Sequence, residues 1–163
     1  MTGVDFSQVE REWVSQRLFP GFSWQSFDEF SPLNPLAVPL TEARIALVTT
    51  SGVHLKSDKP FDKKAKGGDS SFRAFGSESA FSELALTHVG YDTKRALADI
   101  NVVLPLDHLR HAAAQGTIGE LTPTIYSFMG YIPDTTDFIG TTAPEVARLL
   151  AAEQPDLVLL VPT

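Results

Sequence analysis

Two histidines stand just past β-rich apolar runs. His54 follows Arg44 to Thr50 (RIALVTT) and Ser51-Gly52, and His88 closes Glu83 to His88 (ELALTH). If both runs are strands of a parallel sheet, both imidazoles face the rim at the carboxyl ends of the strands, where ligands sit in such sheets and where a histidine can act as acid, base or ligand. Asp92, in the turn Val89-Gly90-Tyr91-Asp92, adds a carboxylate. The bland alternative is a pair of loop histidines bonded to backbone. Gly67-Gly68-Asp69-Ser70-Ser71-Phe72-Arg73 offers a carboxylate, hydroxyls and a guanidinium on a flexible backbone. Asp69, Ser71 and Arg73 are thus candidates for holding a small carboxylate or phosphate, although a solvated loop has the same composition. Asp107 with Arg110 one turn later is a further polar pair, equally readable as a cap and a surface ion pair. Met129-Gly130 ends an alternating run, and a glycine there permits close approach of backbone to a ligand, or simply a turn.

The elements that must position these residues follow from periodicity. Asp5 to Leu18 spaces Val9, Trp13, Val14 and Leu18 for a short amphipathic helix. Phe19 to Leu40 interleaves prolines with Phe22, Trp24, Phe27 and Phe30 as an irregular arm that packs on its own domain or covers a partner subunit. Val53 to Phe75 reads as one long polar loop, a length that is uncommon unless functional. Asn101 to Leu104 (NVVL) reads as a third extended piece, and Leu106 to Gln115 as a helix stopped by Gly116. Pro123 to Met129 (PTIYSFM) is another strand. Thr141 or Thr142 is placed to cap a helix from Ala143-Pro144, and Leu157 to Val161 reads as a buried parallel strand. Strands alternating with helices predict a three-layer α/β domain with a mainly parallel sheet of about four or five strands. The expected division is an N-terminal helix and arm over residues 1–42 and an α/β domain over residues 43–163.

Composition narrows the function. At 163 residues with 43% hydrophobic content, the chain can bury a core without staple or metal. A formal charge of −7 argues against nucleic acid or an anionic membrane surface as the main partner. There is no cysteine, hence no disulfide or thiol chemistry within these residues. No apolar run approaches the roughly 20 residues that span a bilayer, and the start is acidic and polar, so a cytoplasmic protein is expected. No H-E-x-x-H, P-loop or G-x-G-x-x-G pattern occurs, so no metal is expected and nucleotide binding loses its support.

The ordered segments ALVTTSGVH (Ala46 to His54), GDSSFR (Gly68 to Arg73), HVGYD (His88 to Asp92), DINVVLPLDHL (Asp99 to Leu109), YSFMGYI (Tyr126 to Ile132) and TAPEVARLL (Thr142 to Leu150) together resemble the selenoprotein B family of glycine, sarcosine, betaine and D-proline reductases. The resemblance runs from about Ala43 to Thr163 and matches the arm only loosely. It implies an oxidoreductase that breaks a C–N bond of a small amino acid or betaine with a dithiol as electron donor. It also implies a selenocysteine or cysteine directly after a strand like Leu157 to Val161, as the nucleophile that displaces the amine. The expectation is therefore a reading frame cut at a selenocysteine codon, or trimmed there, and inactive in this form. By the same resemblance Arg73 would meet a substrate carboxylate, while His54, His88, Asp92 and Asp69 would handle protons. No cofactor is expected within the chain, and a pyruvoyl group would belong to a partner subunit. A homo-oligomer or a partner reductase subunit is expected. Two other readings stay open: a non-catalytic binding or assembly subunit, and a cofactor-independent lyase or hydrolase using His54, His88 and Asp92.

Overall fold

The computed structural model describes residues 5–18, 20 and 34–163, which fall into two compact units, 1–35 and 36–163. In the first, Asp5 accepts from the amides of Ser7 (3.0 Å) and Gln8 (3.2 Å) and so caps α1 (Phe6–Trp13). A π turn, Val14–Leu18, continues it. This is the helix expected over Asp5 to Leu18. Most of the aromatic arm, including Phe22, Trp24, Phe27 and Phe30, lies outside the described residues.

The second unit is built on β1 (Arg44–Thr49), which lies between β5 (Glu120–Phe128) and β6 (Leu157–Val161) and runs parallel to both. An edge strand, β3 (Phe72–Gly76), adds antiparallel to β5, for the order β3-β5-β1-β6. Alternation along β1 and β5 divides their side chains between two apolar layers. Leu47 and Ile125 join Val53, Leu84, Leu104 and Leu106 on one face. Val48, Tyr126 and Phe128 meet Val146 of α4 (Ala143–Glu153) on the other. Leu106 begins α3 (Leu106–Ala114) and ties it to the first layer. The result is the expected three-layer α/β domain with a mainly parallel sheet.

Four local expectations are corrected. The stretch from Val53 to Phe75 is not one loop. Its ends are β2 (Val53–Leu55) and β3, because Val53 and Phe75 are drawn into the core. The strand at Glu83 to His88 shrinks to β4 (Leu84–Leu86) and pairs with β2 in a separate antiparallel ribbon. NVVL is not extended: Asp99 accepts from the Asn101 amide (3.0 Å) and nucleates a 3-10 turn, Ile100–Val102, after the short helix α2 (Thr93–Ala98). At α4, Thr142 is already helical and makes no capping bond, since a π turn, Phe138–Thr142, leads directly into the helix.

β6 differs in burial as well. Among the described residues it has β1 on one side only, and Leu157, Val158 and Leu160 are 41%, 39% and 67% exposed, so an edge strand stands where a buried one is expected. Leu159 and Val161 alone pack toward the core.

At the opposite end of the sheet, Arg110 organises the turn after β3. Its guanidinium donates to the carbonyls of Ser77 (2.9 Å from Nε) and Ser79 (2.8 Å from Nη2) and pairs with Asp107 at 3.0 Å. Arg110→Ala is expected to cost about 1.5–3 kcal/mol in urea denaturation, since it strips charge-assisted bonds from two carbonyls. Asp107→Ala, which removes only a half-exposed ion pair, should cost less than about 1 kcal/mol. Equal losses would contradict this division.

Candidate functional site

The carboxyl ends of β1, β5 and β6 form a closed rim. The Thr50 amide donates to the Val161 carbonyl (3.1 Å), and the Thr163 amide donates to the Thr50 hydroxyl (3.0 Å). Gly52 donates its amide to Phe128 (2.8 Å) and accepts at its carbonyl from Thr87 (2.9 Å), which links β5 to the segment entering His88. Gly130, at φ 84°, brings the exit of β5 against Thr50: a Cβ there would stand 2.5 Å from the Thr50 carbonyl oxygen. The Tyr91 hydroxyl closes the ring by donating to the Ser51 carbonyl (2.8 Å).

Three hydroxyl residues at and just below the rim, Ser51, Thr49 and Ser127, are fully buried. Thr49 bonds both the Ser51 hydroxyl (2.8 Å) and the Val103 carbonyl (2.9 Å). The Ser127 hydroxyl has no partner among the described residues.

His88 sits at this rim with its tautomer set by backbone. The Gly90 amide donates to Nδ1 (2.8 Å), so the proton of the neutral ring is on Nε2. Its ring lies 4.3 Å from that of Tyr91. Burial lowers the His88 pKa below its ordinary 6.5, against a smaller opposing pull from the Met129 backbone, and among the described residues no hydrogen bond of ordinary geometry closes on Nε2. Burial also pushes the Tyr91 phenol up to about 12. Because the folded state disfavours protonated His88, its contribution to stability is complete above pH 6.5. It declines as pH falls through that value toward the lower folded pKa. A ring-proton NMR titration should therefore give His88 a midpoint below 6.5, and His88→Asn should remove that part of the pH slope. A midpoint at or above 6.5 would refute the assignment.

The other expected site residues are placed as follows. His54, 2% exposed in β2, has Nδ1 2.7 Å from the Leu55 carbonyl and Nε2 3.0 Å from the Thr87 hydroxyl, so both nitrogens are occupied inside the fold. Asp92 caps α2 by accepting from the Lys94 amide (3.0 Å). Asp69, Ser71 and Arg73 form one chain of contacts beside the rim. Asp69 accepts from the amides of Asp62 (2.7 Å) and Ser71 (3.0 Å) and from the Ser71 hydroxyl. Burial raises the Asp69 pKa, but these three bonds together outweigh it and leave the group below the usual carboxylate value. Arg73 donates to Ser71 Oγ (2.9 Å), Phe72 O (2.8 Å) and Lys59 O (2.9 Å) and stacks over Phe61 at 4.4 Å. Its Nη2 end is the least committed, reaching only Pro60 O at 3.5 Å.

The β3–β5 register sets Phe72 opposite Phe128 and Gly76 opposite Thr124, so this cluster is at the rim end of the sheet while Arg110, bound to Ser77, and its partner Asp107 are at the other. Met129, 1% exposed, and Gly130 are part of the rim itself. Thr50, Ser51 and Tyr91 fall in the strand-end stretches where the sequence places the rim, Thr50 to His54 and His88 to Asp92, although they are not among the candidate site residues; Thr87 lies outside those stretches. Only the glycines within them, Gly52 and Gly90, hinted at close packing. Among the described residues no three His, Cys, Asp or Glu side chains gather to hold a metal, and no helix is long and apolar enough to cross a membrane.

Comparison with known proteins gives the family. The profile described as glycine/sarcosine/betaine reductase selenoprotein B matches residues 19–163, and so takes in the aromatic arm that the motif resemblance left loosely matched. The D-proline reductase subunit gamma of Acetoanaerobium sticklandii is 39% identical over 126 residues, 77% of this chain and 51% of that protein. The glycine reductase complex component B subunit gamma of Carboxydothermus hydrogenoformans is 36% identical over 136 residues, 81% of this chain and 29% of that protein. The betaine reductase complex component B subunit beta of Peptoclostridium acidaminophilum is 34% identical over 114 residues, 68% of this chain and 24% of that protein. The chain thus spans about half, or less, of the length of these relatives. No solved structure matches it. The profile over residues 19–163 and these relatives show that the chain belongs to the glycine/sarcosine/betaine reductase selenoprotein B family.

Proposed function

We propose that this chain forms one wall of the site at which a reductase complex cleaves the C–N bond of a small amino acid or betaine, with D-proline, glycine, sarcosine and glycine betaine as the substrate class. In that reaction the C–N bond breaks, carbon and nitrogen each gain a proton, and a dithiol supplies two electrons and becomes a disulfide. The observation that carries the reading is the convergence at Thr50, where β1, β5 and β6 end within hydrogen-bonding reach of one another. A selenocysteine or cysteine carried directly after Thr163 would enter the site there as the nucleophile. A pyruvoyl group, where the reaction uses one, belongs to a partner subunit.

Within this frame His88, neutral and protonated on Nε2, is suited to donate a hydrogen bond and not to take up a proton, because Nδ1 already accepts from Gly90. Arg73 would meet the substrate carboxylate through its less committed Nη2, held in place by Ser71 and Asp69. The lyase or hydrolase reading gains no support from the geometry: Asp92 is occupied as a helix cap and His54 is bonded at both nitrogens.

The test uses the full-length polypeptide with its partner subunit, a dithiol, and each of the four substrates. One disulfide formed per C–N bond broken is expected for at least one of them. Calorimetry showing no binding of any of the four, together with no thiol consumption, would overturn the reading. Arg73→Ala should raise KM about tenfold or more while changing kcat less, as for loss of a carboxylate contact. An unchanged KM would remove Arg73 from the site.

A further inference from the structure

The segment from Lys56 to Arg73 holds six basic residues (Lys56, Lys59, Lys63, Lys64, Lys66, Arg73) and three acidic ones, leaving seven basic against 17 acidic in the rest of the chain. Its three carboxylates are used locally. Asp58 accepts from the Leu55 amide, Asp62 from the Lys64 amide and Asp69 from the Asp62 amide. Neither of the two ion pairs among the described residues involves one of these lysines, and all five lysines are exposed. The segment is also fixed in place: the Asp134 amide donates to the Gly67 carbonyl (3.0 Å), and Gly68 packs against Tyr131 and Ile132, just past Gly130 of the rim.

We infer that this basic loop is the docking surface for an acidic protein face, which it holds beside the rim of the sheet. A small anion is not the fit. The concavity that Lys59 and Arg73 line is also lined by Asp62 and Asp69, and none of the segment's other lysines lines it. Separated ammonium groups match an array of carboxylates on a second surface. Nucleic acid would meet the same lysines, but its dense charge would also meet the net negative remainder of the chain. The inference rests on charge and position alone and does not depend on the reaction proposed above.

Two measurements on the full-length protein test it. The first is fluorescence anisotropy with a labelled oligoglutamate of about ten residues, with oligothymidylate of similar charge and acetate as comparison probes. Oligoglutamate should bind, weaken about tenfold or more between about 20 and about 200 mM salt, and weaken about tenfold or more in K59E/K63E/K64E/K66E but not in K94E. The second is zero-length carbodiimide crosslinking of the wild-type protein in its native complex. It should join at least one of Lys59, Lys63, Lys64 and Lys66 to an Asp or Glu of another polypeptide, and it requires no variant to fold. Oligoglutamate binding that ignores the lysine reversals, tighter binding of oligothymidylate, displacement by millimolar acetate, or crosslinks confined to the chain itself would each overturn the inference.

Discussion

Replacing Gly52 with alanine will cost about 3–5 kcal/mol of folding stability, which is at the upper end for a single substitution. Gly52 has φ 73°, where a β-carbon alone costs about 1–2 kcal/mol. The built Cβ would also stand 2.1 Å from the Thr87 carbonyl oxygen and 2.9 Å from its carbon, so backbone must move. The movement has nowhere harmless to go. Gly52 is bonded to Phe128 through its amide and to Thr87 through its carbonyl, and the Thr87 hydroxyl meets His54. Displacing Thr87 therefore loosens the joint between β5 and the β2–β4 ribbon and shifts the adjacent His88. Urea denaturation gives the stability, and the His88 ring titration should move back toward 6.5 in the same variant. A loss under about 1 kcal/mol with an unmoved titration would show that the rim is not stitched at this point.

The parts of this fold that could be read from the chain are those set by local pattern. RIALVT and PTIYSF became β1 and the second half of β5 because apolar alternation with turn signals specifies a strand in any context. α3 behind Pro105 and α4 with Pro144 in its first turn followed the same way. Three features escaped the apolar pattern. NVVL has strand composition, but the Asp99 carboxylate captures the Asn101 amide and a turn wins. β3 is specified by its pairing with β5, from Phe72 opposite Phe128 to Gly76 opposite Thr124, and not by its own polar surroundings. The rim depends on pairs far apart in sequence, such as Thr50 with Thr163 and Ser51 with Tyr91. His88, Met129 and Gly130 could be named because glycine and strand ends marked them. Thr50, Ser51 and Tyr91 shared the strand-end mark, but their residue types did not single them out as site residues.

The sharpest case is a pair of leucines in two similar runs, IALV in β1 and LVLLV in β6. Leu47→Ala is expected to cost about 2–5 kcal/mol, and Leu160→Ala less than about 1 kcal/mol. Leu47 is 0% exposed on a strand flanked on both sides, in register with Ile125 and Leu159, and it belongs to the apolar layer that includes Val53, Leu104 and Leu106. Its truncation leaves a cavity that neighbours fixed by the sheet cannot fill. Leu160 is 67% exposed on the edge strand, so its truncation removes little that is buried. The same atoms are deleted in both variants, but Leu160 lies opposite Val48 on the other face of the sheet from Leu47, so the contrast reports how far the covering layers reach over the edge strand. Urea midpoints at unchanged m-value decide it. If Leu160→Ala costs as much as Leu47→Ala, this face of β6 is covered in solution.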